Sequence, residues 1–278
     1  MQPITQPYFR AMRLADGVWQ VLSDGVYSYV VAGDDEAVVI DPGYGCGDIR
    51  RFCEELTGKK VRMTLVTSPE LRQSAAACNF ETECMSAAAA KITARPLPTM
   101  AGAVIPECEN KRILSDGEVI DLGGREIVAY EFPSVSAGGM IFFDRKAKVL
   151  FTGEEIDDRA LVVKHMPLTV LKEKLEMLSA LQSEVNFVCS YRIVFCSFLI
   201  KRYLINTARI LGGADTLAMI EGEKAGESPK TSCGKTLYER GTLRSEDIPF
   251  VSEEDHARER FSGIAESKIV FDGLLLDR

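Results

Sequence analysis

Only two histidines, His165 and His256, occur in the 278 residues, and this scarcity bounds the chemistry before any element is placed. His165 precedes Met166-Pro167 with no other His and no Cys close in sequence, and His256 sits in a charged run at 253–260. Each reads as an ordinary structural or surface histidine, since an isolated residue is a weak motif. The eight cysteines (Cys46, Cys53, Cys78, Cys84, Cys108, Cys189, Cys196 and Cys233) contain no C-x-x-C pair. That pattern argues against a zinc ribbon or disulfide framework and for buried, reduced thiols. A cysteine nucleophile, Cys46 in Gly45-Cys46-Gly47 or Cys189, would lack a nearby histidine base and would need a helix N-terminus or an arginine to form its thiolate. Gly234-Lys235-Thr236 has the tail of a phosphate loop, but the first glycine of that motif falls on Pro229 and no strand leads into it.

Short β-branched runs at 18–22, 27–31 and 37–40, separated by turn residues, predict three antiparallel strands. After Asp41-Pro42-Gly43, apolar spacing at Ile49, Phe52 and Leu56 predicts a helix from Asp48 that Gly58 stops, and 61–67 predicts another strand. The alanine-rich stretch 74–90 favours short helices. From Ile113 the pattern is β again, through runs ending at Phe132 and then 140–143 and 149–152. Leu171, Leu175, Leu178 and Leu181 form one helix face, 186–189 a strand, and 198–211 a helix closed by Gly212-Gly213. Residues 221–235 read as a mobile connection, and 269–276 as a returning strand. Strands alternating with helices indicate sheet layers covered by helices.

A net charge of −8, from 33 basic and 41 acidic residues, disfavours nucleic acid and anionic lipid as partners. The first residues carry no basic start with an apolar core, and no run approaches the ~18 apolar residues of a membrane span, so the expected location is cytoplasmic, with no membrane partner.

The run 18–21, then Val38-Val39-Ile40-Asp41-Pro42-Gly43-Tyr44-Gly45, a helix and Thr64-Leu65-Val66-Thr67, resembles the opening of the metallo-β-lactamase superfamily. The segments 113–124 and Val149-Leu150-Phe151-Thr152-Gly153-Glu154 resemble its second half, so the likeness covers about residues 18–211. It implies an α+β fold, a four-layer αββα sandwich with the active site at one edge of the two sheets. On this basis residues 1–215 are expected to form the domain and 216–278 an extension packing on or flanking it.

The family carries H-x-H-x-D-H after the strand that ends near Thr67, because zinc needs several imidazoles and a carboxylate converging on one point. Here Ser68-Pro69-Glu70-Leu71-Arg72-Gln73 stands in its place. On that register Ser68, Glu70 and Gln73 replace histidines and Arg72 replaces the aspartate. Val135 takes the position of a further histidine, Glu154 that of the bridging aspartate and Tyr191 that of the last histidine. Asp41 alone matches the polar support. Arginine stays protonated and repels a cation, and a dinuclear centre of the usual kind draws on about five histidines. No zinc cofactor is therefore expected, and the resemblance implies a degenerate hydrolase, not an active zinc enzyme.

Three readings follow for the altered site. Arg72 takes over the work of the missing cations by pairing with Glu70, Glu154 or Asp41, or else it points to solvent from a relaxed loop. Alternatively Glu70, Glu154, Glu155 and Asp41 form an all-oxygen site for Mg²⁺ or Mn²⁺ and keep the chain a hydrolase. In the third reading the scaffold binds an unknown small molecule or protein partner, or a second copy of itself, with 193–200 as the apolar contact if exposed or as core if buried.

Overall fold

Turn residues punctuate the N-terminal half so closely that the chain has room only for short strands, and it folds back on itself strand by strand. The computed structural model describes residues 9–23, 25–45, 47–92 and 107–213 and the strand segments 216–218, 236–239 and 269–272. Cys46, Cys233, Pro229, Lys235, His256 and the connection 221–235 lie outside the described residues. The chain divides into two compact units, one of residues 1–132, 136–155 and 184–195, the other of 133–135, 156–183 and 196–278.

In the first unit, a seven-stranded sheet runs in sequence order: β1 (Phe9–Ala15), β2 (Val18–Ser23), β3 (Val26–Ala32), β4 (Glu36–Ile40), β5 (Lys60–Leu65), β6 (Thr82–Ser86) and β7 (Lys111–Leu114). The hairpins β1 to β4 are antiparallel and β4 to β7 are parallel. Between β4 and β5 lies α1 (Ile49–Thr57), capped at its start by the Asp48 carboxylate on the Arg51 amide and closed by Gly58 at φ +68°. Only a residue without Cβ takes that left-handed cap cheaply. Ile49 and Cys53 of α1 pack on the outward side chains Val30, Val39 and Val61 of the sheet.

The second sheet of this unit contains β8 (Val119–Asp121), β9 (Glu126–Glu131), β10 (Met140–Asp144), β11 (Val149–Gly153), β13 (Phe187–Ser190) and β14 (Val194–Phe195), in the order β14-β13-β11-β10-β9-β8. Strands buried on both faces read as continuous apolar runs, and all five residues of β10 and of β11 are buried. Tyr29, Val31, Val38 and Ile40 from the first sheet meet Ala129, Met140, Phe142 and Phe151 from the second in one core. A buried ion pair lies in the same unit, where Arg125 Nε and Nη2 reach Asp144 Oδ2 at 3.0 and 2.5 Å and Arg125 Nη1 donates to the Ala32 carbonyl at 2.9 Å.

The second unit holds α3 (Leu168–Ala180), α4 (Phe198–Leu211) and a sheet in which β12 (Leu161–Val163), β17 (Ile269–Asp272), β16 (Thr236–Glu239) and β15 (Thr216–Ala218) are neighbours in that order. Leu171, Leu175 and Leu178 are buried, whereas Leu181 falls just past the helix end. No described helix is long and apolar enough to cross a membrane.

Two local readings need correction. The alanine-rich stretch contains 3-10 turns at Ala75–Asn79 and Ala89–Lys91, but between them lies β6, whose residues 83–86 are buried. Pairing with β5 and β7 there outweighs the helix preference of the flanking alanines. The strand expected to reach Thr67 leaves the ladder at Leu65, because the Thr67 amide is taken by the Asp41 carboxylate.

Candidate functional site

The ends of β4, β5, β11 and β13 carry or lead into Asp41, Ser68, Glu70, Arg72, Gln73, Glu154 and Tyr191, all in the first unit. Asp41 follows β4 in a left-handed backbone conformation, φ +53°, which Asp tolerates better than most residues. Its Oδ1 accepts the Thr67 amide at 2.8 Å and its Oδ2 the Thr67 hydroxyl at 2.7 Å. The Thr67 carbonyl accepts the Met140 amide at 2.8 Å, which ties this loop to β10. Burial pushes the Asp41 carboxyl up to about 7; the two Thr67 bonds pull it down and the Glu154 carboxylate adds to the rise.

Glu154 follows β11 and is buried. Its Oε1 accepts the Ser68 hydroxyl at 2.8 Å, and its Oε2 lies 3.2 Å from Arg72 Nη2. The Arg72 side chain is 21% exposed against 1% for Glu154, so the cation reaches inward from the edge of the site. On its other side the guanidinium lies over the Tyr191 ring, 5.3 Å from the centroid, within the range of an attractive cation–π contact. Tyr191 is fixed by its backbone: its amide donates to the Gly153 carbonyl at 3.0 Å and its carbonyl accepts the Tyr27 amide at 2.6 Å. Of the partners named for Arg72 from the sequence, Glu154 is the one that the structure brings to it.

Gln73 is fully buried, and neither its side-chain oxygen nor its nitrogen is hydrogen-bonded among the described residues. A buried amide left in that state costs about 1–3 kcal/mol. Its backbone carbonyl accepts the Gly43 amide at 3.2 Å, so the short helix α2 (Leu71–Ser74) is held against the Asp41-Pro42-Gly43 turn. Glu70 caps α2 with its backbone and is exposed, with no side-chain ion pair among the described residues. Glu155 turns to another loop, where its carboxylate accepts the Ser136 amide at 3.2 Å. Val135 is half-buried and belongs to the second unit. His165, also in the second unit, is exposed; partial burial and the neighbouring Lys164 lower its pKa. Cys189 is buried and its thiol is pushed up by burial, the opposite of an activated nucleophile.

Sequence reasoning missed Thr67 and Gly153. Thr67 clamps both oxygens of Asp41, and Gly153, at φ +54°, lets β11 pass so close that a Cβ there would collide with the Thr67 side chain and come within 3.0 Å of Asp41 Oδ2. Their signal in the sequence is only adjacency to Ser68 and Glu154.

The metal pair that the family resemblance implies can be tested against this donor set. Ser68, Gln73, Arg72 and Tyr191 offer no imidazole or thiolate, Arg72 brings a permanent positive charge to Glu154, and no three His, Cys, Asp or Glu side chains among the described residues form a group suited to a metal ion. These residues do not fit a zinc pair. The carboxylates Asp41, Glu70, Glu154 and Glu155 likewise do not gather into one such group.

No family model matches the chain. Over 58 residues it is 33% identical to the acyl-coenzyme A thioesterase MBLAC2 of Gallus gallus, covering 21% of each chain. Over 50 residues it is 38% identical to the Homo sapiens protein of that name, covering 18% of each. The matched part is thus about a fifth of these relatives' length. Among solved structures, a metallo-beta-lactamase from Pontibacter korlensis superposes with a TM-score of 0.55 at 14% identity, over 72% of this chain and 99% of that one. A B3 metallo-beta-lactamase described as the first with an active-site glutamic acid gives 0.55 at 15%, over 73% and 89%. Rubredoxin oxygen:oxidoreductase from Desulfovibrio gigas gives 0.53 at 16%, over 72% and 62%. Identities this low speak to architecture alone.

Proposed function

We propose that this chain, which has the metallo-β-lactamase fold, is a binding protein in which an arginine does the electrostatic work of a metal, and that it does not catalyse zinc-dependent hydrolysis. The observation that carries the reading is the contact of Arg72 with Glu154, a carboxylate that Ser68 already holds and that would otherwise raise Asp41 further by repulsion. A fixed guanidinium keeps buried carboxylates tolerable without importing an ion. The same reading takes residues 1–215 as the superfamily-like domain and 216–278 as an extension packing on it, supported by the parallel pairing of β12 with β17. It takes the ligand to be a small molecule or protein, with neither nucleic acid nor membrane as partner, and the location to be cytoplasmic, supported by the absence of a disulfide among the described cysteines. Self-association through 193–200 belongs to it as well, supported by Phe198, which is 52% exposed; light scattering that finds only monomer removes that part.

A second reading, a hydrolase of the same superfamily with a carboxylate-rich metal site, is favoured by the local identity to an acyl-coenzyme A thioesterase. One experiment separates the two. Purified full-length chain is dialysed against Zn²⁺ or Mn²⁺, bound metal is counted by mass spectrometry, and thioester hydrolysis is assayed on the same sample. The first reading expects metal well below one ion per chain and no turnover. Stoichiometric metal together with turnover supports the second and ends the first.

A further inference from the structure

Arg72 reaches its partners by a route that a second cation could take. Its guanidinium meets Glu154 Oε2 at 3.2 Å and lies over the Tyr191 ring, 5.3 Å from the centroid. The carboxylate is 1% exposed and the arginine side chain 21%, so the positive charge enters from the edge of the site, where solvent also reaches. Neither contact surface owes its place to Arg72. Ser68 donates to Glu154 Oε1 at 2.8 Å, and the Tyr191 backbone is tied to Gly153 at 3.0 Å and to Tyr27 at 2.6 Å. A positioned carboxylate beside a positioned aromatic ring is a receptor for a flat cation, which hydrogen-bonds through its edge and stacks through its face.

The element that carries Arg72 depends on others for its shape. α2 is four residues long, far below the length at which a helix holds by itself. Its attachments include the Gly43 amide, which donates to the Gln73 carbonyl at 3.2 Å, and the Arg72–Glu154 pair. The closed position also carries a standing cost, because the Gln73 side chain next to Arg72 is fully buried with neither amide atom hydrogen-bonded among the described residues. Displacing α2 gives that amide to water, which offsets part of the loss of the ion pair.

We propose that Arg72 is a displaceable stand-in for a ligand, and that Glu154 and Tyr191 form a receptor for a small organic cation bearing a guanidinium group. The proposal rests on the reading of Arg72 as the cation of this site and adds what replaces it. A neutral or anionic ligand is refused, since it would leave Glu154 buried without a countercharge. The ligand must compete with Arg72, so its apparent affinity is reduced by the fraction of chains in which Arg72 is still in place.

The test is calorimetric titration of the full-length chain with methylguanidinium at pH 7.5 in the presence of a chelator, with methylurea, neutral and of the same shape, as comparator. Arg72→Ala vacates the receptor and should bind one methylguanidinium per chain at least tenfold more tightly than the parent does, and more tightly than it binds methylurea. Adding Glu154→Gln to that variant should weaken binding at least tenfold. The proposal is overturned if Arg72→Ala binds no better than the parent, if methylurea matches methylguanidinium, or if the added Glu154→Gln changes nothing. Where Arg72→Ala unfolds too early to titrate, hydrogen exchange of the parent decides. Saturating methylguanidinium should speed exchange of amides 71–76 at least threefold relative to methylurea, because it draws the population toward displaced α2; equal rates overturn the proposal. The metal count separates the two claims: stoichiometric metal in the parent ends the reading on which the proposal rests, whereas a metal-free chain indifferent to methylguanidinium ends the proposal alone.

Discussion

Both carboxylate oxygens of Asp41 are taken by one residue, Thr67, whose backbone amide and side-chain hydroxyl lie 2.8 and 2.7 Å away. The clamp joins the end of β4 to the loop after β5, which carries Ser68 and leads into α2, where Arg72 lies. Fixing Asp41 therefore fixes the residues that face Glu154.

Asp41 titrates near 7 in the folded chain against 3.8 as its ordinary value. A carboxyl whose folded pKa is raised is protonated in the native state while already ionised in the unfolded one. Between about pH 4 and 7 the unfolded state binds fewer protons at this group, so its contribution to stability falls as pH rises, by roughly 4 kcal/mol in total, and is level above. Asp41→Asn keeps the left-handed backbone and an acceptor for the Thr67 amide, while its side-chain NH2 donates to the Thr67 hydroxyl oxygen instead of accepting from it. Urea denaturation of the two proteins at pH 4.5, 6 and 7.5 should show the variant gaining relative to the parent as pH rises. A difference that stays constant with pH contradicts the assignment.

Gly153→Ala meets two obstacles at once, a backbone at φ +54° and a Cβ driven into Thr67 beside Asp41. The expected destabilisation is about 2–4 kcal/mol, from positive-φ strain together with overpacking. A chemical melt measures it; a change below ~0.5 kcal/mol would show that β11 has room to move.

Arg125 and Asp144 are 2% and 0% exposed. Arg125→Met leaves Asp144 buried with only the Lys146 and Ala147 amides, at 3.0 and 3.2 Å, as partners among the described residues, and should cost about 3–5 kcal/mol. The double change Arg125→Met/Asp144→Leu should recover part of that loss, because no uncompensated charge remains. Thermal unfolding of the three variants provides the comparison, and a double variant less stable than the single one would contradict it.

The sheets were legible because their signals are local. Alternating β-branched runs cut by Gly and Asp placed β2, β3 and β4, helical spacing placed α1 and α3, and the Gly212-Gly213 stop closed α4, which has the same ends in sequence and structure. β1 was missed because Arg10, Ala11, Met12 and Arg13 are exposed at the sheet edge, where no apolar alternation is required. β6 was hidden among alanines because pairing to both neighbours, a non-local fact, decided it. At the site, residue types revealed which donors were lacking, and Arg72, Ser68, Gln73 and Glu154 could be named from register. That Arg72 would choose Glu154 over Glu70 could not be read, since it depends on which carboxylate the folded chain buries. Glu70 lies exposed three residues after Thr67, and Glu154 arrives from the other sheet.

The most direct measurement of the electrostatic account is a double-mutant cycle on Arg72 and Glu154, using Arg72→Met, Glu154→Gln and the pair, by urea denaturation at pH 7.5. If the guanidinium neutralises Glu154, Arg72→Met alone should cost about 2 kcal/mol, because a buried carboxylate then keeps Ser68 but loses its cation, and most of that cost should vanish when Glu154 is already Gln. Additive effects of the two substitutions, with coupling indistinguishable from zero, would contradict the claim that Arg72 does the work of an ion at this site.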